Sequence, residues 1–239
     1  NIDHLEFLCL DDPLQTPTPE ATPTSTPLVP SFAEAYEFAF EFGSLGSDPG
    51  QFGYDLGPRG IALGDNQVFV ADYGNQRIQK FSMEGDYVDH WAAGYCAQLE
   101  VCIDSLFQLV PPGGLRKWSF NGELQDEESV SIPAWSAGMT IDSDQQIQVS
   151  VAVDEILKVY DLYLNHLADH PTTDGCGNDV KPSADGYIYF STNENEFARY
   201  SNAGSDTGWR RPSNGESILY IHPNGWVVTR ASLNHKIKI

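Results

Sequence analysis

The chain has 239 residues, of which 41% are hydrophobic and 12% aromatic, enough to build a full core and to exclude a wholly disordered chain. Thirteen Lys and Arg stand against 34 Asp and Glu, a formal charge of −21 that disfavours nucleic acid as a partner. No run approaches the roughly 18–20 apolar residues that a membrane-crossing helix needs, so no membrane insertion is expected.

The chain begins at Asn1 without an initiator Met, and reads as a processed chain or a fragment. Residues 1–12 read as the end of a preceding segment. Residues 13–31 contain PLQTPTPEATPTSTPLVP, in which Pro recurs with Thr or Ser between. Pro fixes its own φ and biases the preceding residue toward extended backbone, so this stretch is expected to be a polyproline-like linker. Such spacers join modules of secreted or cell-surface proteins, and an extracellular or cell-surface location is the expectation. Residues 32–239 form the folded part.

There the texture changes to short strands between turn signals. Tyr36, Phe38, Phe40 and Phe42 are apolar at period two around Glu37 and Glu41, the pattern of a strand with one face buried. A Gly-rich connection through Phe52 follows. Strands are then expected at Gly60–Leu63, Val68–Ala71, Arg77–Phe81 and Tyr87–Trp91. The segment Glu155–Tyr163 is read as the third and fourth strands of a later unit rather than as a helix.

A repeat organises the whole. The second strand of each unit starts at Val68, Phe107, Ile147, Ile188 and Val227, at intervals of 39, 40, 41 and 39 residues. Turn residues keep step at Asp65-Asn66, Asp144-Gln145, Asp185-Gly186 and Asn224-Gly225. Lys80-Phe81-Ser82-Met83-Glu84-Gly85 recurs as Lys117-Trp118-Ser119-Phe120-Asn121-Gly122. Five units of about 40 residues predict an all-β β-propeller with four-stranded antiparallel blades, because radial stacking hides both apolar faces of each sheet. The fifth unit stops one strand short at Ile239. The Tyr36–Phe42 strand is therefore expected to close the last blade, whereas truncation after Ile239 would imply a six-bladed parent.

Four cysteines permit two disulfides in three pairings. A short bridge between Cys96 and Cys102 is preferred; the alternative is Cys102 as a buried small hydrophobe. No C-x-x-C is present.

The first unit resembles the NHL repeat. The resemblance rests on Phe42-Gly43-Ser44-Leu45-Gly46, Pro49-Gly50-Gln51-Phe52, Pro58-Arg59-Gly60-Ile61-Ala62-Leu63, Val68-Phe69-Val70-Ala71-Asp72 and Asn75-Gln76-Arg77-Ile78-Gln79-Lys80-Phe81. Asn234-His235-Lys236-Ile237-Lys238 is a weaker copy. Units 2, 3 and 4 depart, with Pro111-Pro112, Ser150-Val151 and Ser191-Thr192 where the first has Ala71-Asp72. The resemblance implies that Asp72, Asn75 and Arg77, and in the last unit Asn234 and Lys236, are structural repeat residues.

Candidate chemistry is sparse. His166 and His170 would share a metal on a helix, but here they fall on a strand end, so no metal ligand set and no cofactor is assigned. His222 and His235 carry the same discount. Asp142-Ser143-Asp144 and Asp126-Glu127-Glu128 lack a full calcium-loop pattern and read as solvated charge. Trp209-Arg210-Arg211 with Trp226 could form a small aromatic–basic patch. No catalytic residue is assigned. The expectation is a monomeric, non-enzymatic propeller that binds a protein, peptide or glycan on one rim, with its acidic charge steering a basic partner. The alternative is a propeller enzyme of lyase or lactonase type with a metal at the central funnel.

Overall fold

In the computed structural model of the chain, the described residues are 40–54, 57–110, 112–129, 137–173, 175, 177, 179–213, 216–221, 227–231 and 236–238. Two short strands, β1 (Ser44–Leu45) and β2 (Gln51–Phe52), pair in parallel ahead of the first sheet. That sheet is β3 (Pro58–Gly64), β4 (Gln67–Asp72), β5 (Arg77–Ser82) and β6 (Tyr87–Ala92), antiparallel in chain order. The second is β7 (Gln98–Cys102), β8 (Ser105–Val110), β9 (Gly114–Ser119) and β10 (Leu124–Ser129). The third is β11 (Ala137–Ile141), β12 (Ile147–Val151), β13 (Ile156–Tyr160) and β14 (His166–Pro171). The fourth is β15 (Val180–Pro182), β16 (Tyr187–Ser191), β17 (Glu196–Ser201) and β18 (Asp206–Pro212). The last has three strands, β19 (Glu216–Ile221), β20 (Val227–Ala231) and β21 (Lys236–Lys238).

Each of the five aligned strand starts falls on the second strand of its sheet. The first strands β3, β7, β11, β15 and β19 lie side by side in succession, and the fourth strands are outermost. These are consecutive blades of a propeller. Glu155–Tyr163 supplies only the third strand of its blade. Asp161 accepts the backbone N–H groups of Tyr163 and Asn165 at 2.8 and 2.9 Å, and this turn delays the fourth strand to His166.

The core lies between blades, as period-two alternation requires. Phe69, Ala71 and Ile78 of the first blade pack on Leu99, Leu106 and Trp118 of the second. Cys102, Phe107 and Leu109 meet Met139, Val149 and Tyr160 of the third. Leu157 joins Ile188, Phe190 and Tyr200, and Tyr189 with Phe197 meets Ile218 and Ile221. Burying each large side chain contributes about 1.5–3 kcal/mol.

One expectation falls largely outside the described residues, and another is revised. Of the strand Tyr36–Phe42, only Phe40 onward is described, and Phe40–Phe42 is irregular. The Phe42 ring lies 4.8 Å from Phe81 and 6.5 Å from Phe52. Phe42 and Phe52 thus cover the face of the first blade that carries Val68, Val70 and Phe81. Tyr36–Ala39 lie outside the described residues. The revision concerns the cysteines. Cys96 and Cys102 are both buried thiols, and no disulfide joins them. Cys96 belongs to the cluster between the first and second blades and Cys102 to that between the second and third, so they occupy opposite faces of one sheet. Cys9 and Cys176 lie outside the described residues.

Candidate functional site

The best-developed polar network is at the Asp72 turn. Asp72 is fully buried. Its Oδ1 accepts the Gly53 N–H at 2.9 Å. Its Oδ2 accepts Asn75 Nδ2 at 2.8 Å, Arg77 Nε at 2.9 Å and Gln79 Nε2 at 3.0 Å. Arg77 spends its remaining donors on the carbonyls of Ser47, Asp48 and Gln51 at 2.8–3.0 Å. Asn75 Nδ2 also reaches the Gly46 carbonyl at 2.9 Å. The Asp72–Arg77 pair neutralises itself and its outer bonds go to backbone, so the three side chains clamp the Gly46–Gly53 loop onto the first blade. Asn234 lies outside the described residues, and Lys236 is placed on β21 by its backbone.

The His pair does not converge. His166 Nε2 lies 2.8 Å from Asp169 Oδ1, on the side where Lys158 also approaches that carboxylate at 3.3 Å. Burial raises the Asp169 carboxyl, but hydrogen bonds from His166 and Lys158 outweigh it and leave it below its ordinary range. The His170 ring instead lies against Gly204 of the fourth blade. Both residues sit on an outermost strand. Among the described residues, no group of three or more His, Cys, Asp or Glu side chains is placed to hold a metal ion. His222, His235 and Trp226 lie outside the described residues.

The acidic clusters divide. Asp142 is buried and accepts the N–H groups of Asp144 and Gln146 and the Gln148 amide, all at 2.8–2.9 Å. Burial pushes its carboxyl upward despite those bonds. Asp126, Glu127 and Glu128 ride on the outer strand β10, where Glu127 pairs with Arg116 at 2.7 Å. The Trp209-Arg210-Arg211 run is absorbed by its own blade. Arg199 stacks between Tyr187 and Trp209, Arg211 lies over Trp209, and Arg210 pairs with Asp206 at 2.7 Å.

The two rims differ. One carries the links between blades and the turns between second and third strands. The other carries the turns between first and second and between third and fourth strands. Exposed carboxylates recur on this second rim: Asp65 and Asp86, Asp104 and Glu123, Asp144, and Asp185. Two lysines near it are committed inward, with Lys80 Nζ donating to the Phe120 carbonyl at 3.1 Å and Lys117 Nζ to the Leu162 carbonyl at 3.0 Å. Each ties one blade to the turn of the next. On the same rim, between the second and third blades, lies an open depression of about 390 Å³ lined by Asp104, Ser105, Lys117, Gln125, Asp126 and Tyr163.

The family model of the NHL repeat matches residues 56–81, which span β3 to β5 and the Asp72 clamp. The chain carries an NHL repeat. No curated protein matches the sequence. Among solved structures, the NHL-type propeller is similar to a virginiamycin B lyase from Staphylococcus aureus, at 14% identity and a TM-score of 0.62, covering 77% of this chain and 70% of that one. It is similar to Kuenenia stuttgartiensis hydrazine synthase at 16% identity and a TM-score of 0.60, covering 74% of this chain and 56% of that one. The computationally designed Ika4 protein matches at 17% identity and a TM-score of 0.51, over 69% of this chain and 99% of that one. Identities this low establish the propeller fold alone.

The residues of the depression escaped the sequence reading, although one signal was present. The turns after the third strands read Ser82-Met83-Glu84-Gly85, Ser119-Phe120-Asn121-Gly122, Asp161-Leu162-Tyr163-Leu164 and Ser201-Asn202-Ala203-Gly204. Of these four turns, only the third carries an aromatic just before the positive-φ position, and only there does that position lack glycine.

Proposed function

We propose that this chain is a non-enzymatic NHL-repeat binding module, exported or held at a cell surface on its Thr/Pro-rich spacer, that captures a basic protein or peptide on its acidic rim. The observation that carries this is the recurrence of exposed carboxylates on one rim of every four-stranded blade, while Lys80 and Lys117 are turned onto backbone carbonyls. A net charge of −21 gives that rim the long-range field that steers a cationic partner and raises its association rate. Rigid blades hold the turns in place, so little ordering entropy is lost on binding.

The test is calorimetric titration of the purified chain with a lysine- and arginine-rich peptide at several salt concentrations. Binding that weakens by about tenfold or more when Asp65, Asp86 and Asp144 are together changed to Asn supports the reading. Equal affinity for a neutral peptide, or no effect of the triple change, overturns it. Metal analysis tests the competing enzyme reading: stoichiometric zinc in the purified protein would count decisively against a non-enzymatic module.

A further inference from the structure

The depression between the second and third blades has a composition that narrows what it can hold. Tyr163 stands at its edge, 72% exposed. Its backbone is fixed by the bond to Asp161 at 2.8 Å. The next residue, Leu164, takes φ +59° where the sister turns of the first, second and fourth blades have Gly85, Gly122 and Gly204 at φ +76° to +88°. A leucine tolerates that conformation because its side chain is buried in the core between these two blades. The aromatic ring is therefore presented on a rigid support.

The same depression is lined by Asp104, Gln125 and Asp126. Gln125 sits at the register shift of β10. Ser105 is buried, with Oγ 2.9 Å from Asp104 Oδ1 and 3.3 Å from Gln125 Oε1. Lys117 Nζ lies over one face of the Tyr163 ring, 5.1 Å from its centroid, and the exposed remainder of the ring is what a ligand can reach. Its bond to Leu162 uses one of three ammonium donors. A cationic ligand would meet Lys117 here, and an anionic one would meet two aspartates. An apolar ligand would desolvate most of the lining. A neutral group that donates and accepts hydrogen bonds at once, and has a C–H face to lay on an aromatic ring, satisfies every wall. The volume of about 390 Å³ falls within the roughly 300–1,000 Å³ typical of small-molecule sites.

We propose that this depression is a carbohydrate subsite, with Tyr163 as the stacking platform and Lys117, Gln125, Asp104 and Asp126 as partners for sugar hydroxyls. The site goes beyond the acidic-rim reading, since a neutral sugar needs no field to reach it. Saturation-transfer NMR of the purified chain with glucose, galactose, mannose, N-acetylglucosamine and their linear oligomers provides the test. At least one of these is expected to bind. Tyr163→Phe should keep its affinity, whereas Tyr163→Ala should lose about tenfold, the factor that one ring contact carries. Asp104→Asn should also weaken binding. Tyr163 is exposed, so unchanged near-UV circular dichroism will show that the Ala variant folds. Failure of the whole panel to bind overturns the subsite, as does binding that survives Tyr163→Ala unchanged. The basic-peptide titration on Tyr163→Ala reports on the acidic rim separately, because that variant removes no rim charge.

Discussion

Removing the Asp72 carboxylate tests the best-connected polar group of the first blade. In Asp72→Ala, four hydrogen bonds of 2.8–3.0 Å vanish together, to Gly53, Asn75, Arg77 and Gln79. The Arg77 side chain, only 9% exposed, is left with its charge uncompensated. Breaking one side of a buried pair costs about 3–5 kcal/mol, a large part of the roughly 5–15 kcal/mol that a folded chain holds in total. With a urea slope of about 3 kcal/mol/M, the midpoint should fall by about 1–1.7 M. Asp72→Asn retains one oxygen for Gly53 and should cost less, about 2–3 kcal/mol. Equilibrium urea unfolding followed by tryptophan fluorescence measures both variants, and hydrogen exchange at the Gly53 amide reports whether the Gly46–Gly53 loop has come loose. A loss below about 1 kcal/mol in the Ala variant would refute the assignment of this network as the clamp of the first blade.

Ile103 holds φ +56° in the turn between β7 and β8 and is 61% exposed, so a β-branched residue there bears backbone strain with little burial in return. Ile103→Gly should therefore stabilise the chain by about 1 kcal/mol and raise Tm by roughly 2–4 °C, as read by calorimetry; a lowered Tm would contradict it. The Cys96 thiol is pushed far above its ordinary range by burial, the dominant effect, against weaker lowering by Gln108 and Arg116. Alkylation by iodoacetamide should accordingly stay slow on Cys96 in the folded chain even at pH 9, and accelerate only in denaturant. Fast labelling without denaturant would refute the burial, and a Cys96–Cys102 cross-linked peptide in mass spectrometry would restore the bridge.

The blade architecture was legible in the sequence because burial on both faces imposes a strict rhythm. Val68, Phe107, Ile147, Ile188 and Val227 kept a spacing of 39–41 residues, and all five fall on second strands. The structural character of Asp72, Asn75 and Arg77 followed from the resemblance of one repeat, but their partners did not. The carbonyls of Ser47, Asp48 and Gln51 are contacts that a linear pattern cannot display. Cysteine spacing misled, because Cys96 lies in the link ahead of β7, where strand alternation does not set the side-chain direction. Alternation marked Phe42 as an inward-facing apolar residue, and its ring packs 4.8 Å from Phe81. Tyr163 could have been noticed by aligning the four sister turns, since an exposed aromatic there breaks the pattern.

The lysine ties have a direction. Lys80 reaches forward to Phe120 and Lys117 forward to Leu162, so each grips the module that follows it. At the equivalent position of the third blade Lys158 turns to Asp169 of its own sheet, and in the fourth Arg199 stacks on its own Tyr187 and Trp209. The forward grip is thus concentrated in the early modules. Between the third and fourth blades the tie runs backward instead, Asn202 Nδ2 donating to Ser143 Oγ and Asp144 Oδ2 at 3.2 and 3.3 Å, so loss of Lys117 would loosen the seam behind the second blade and leave that later one intact.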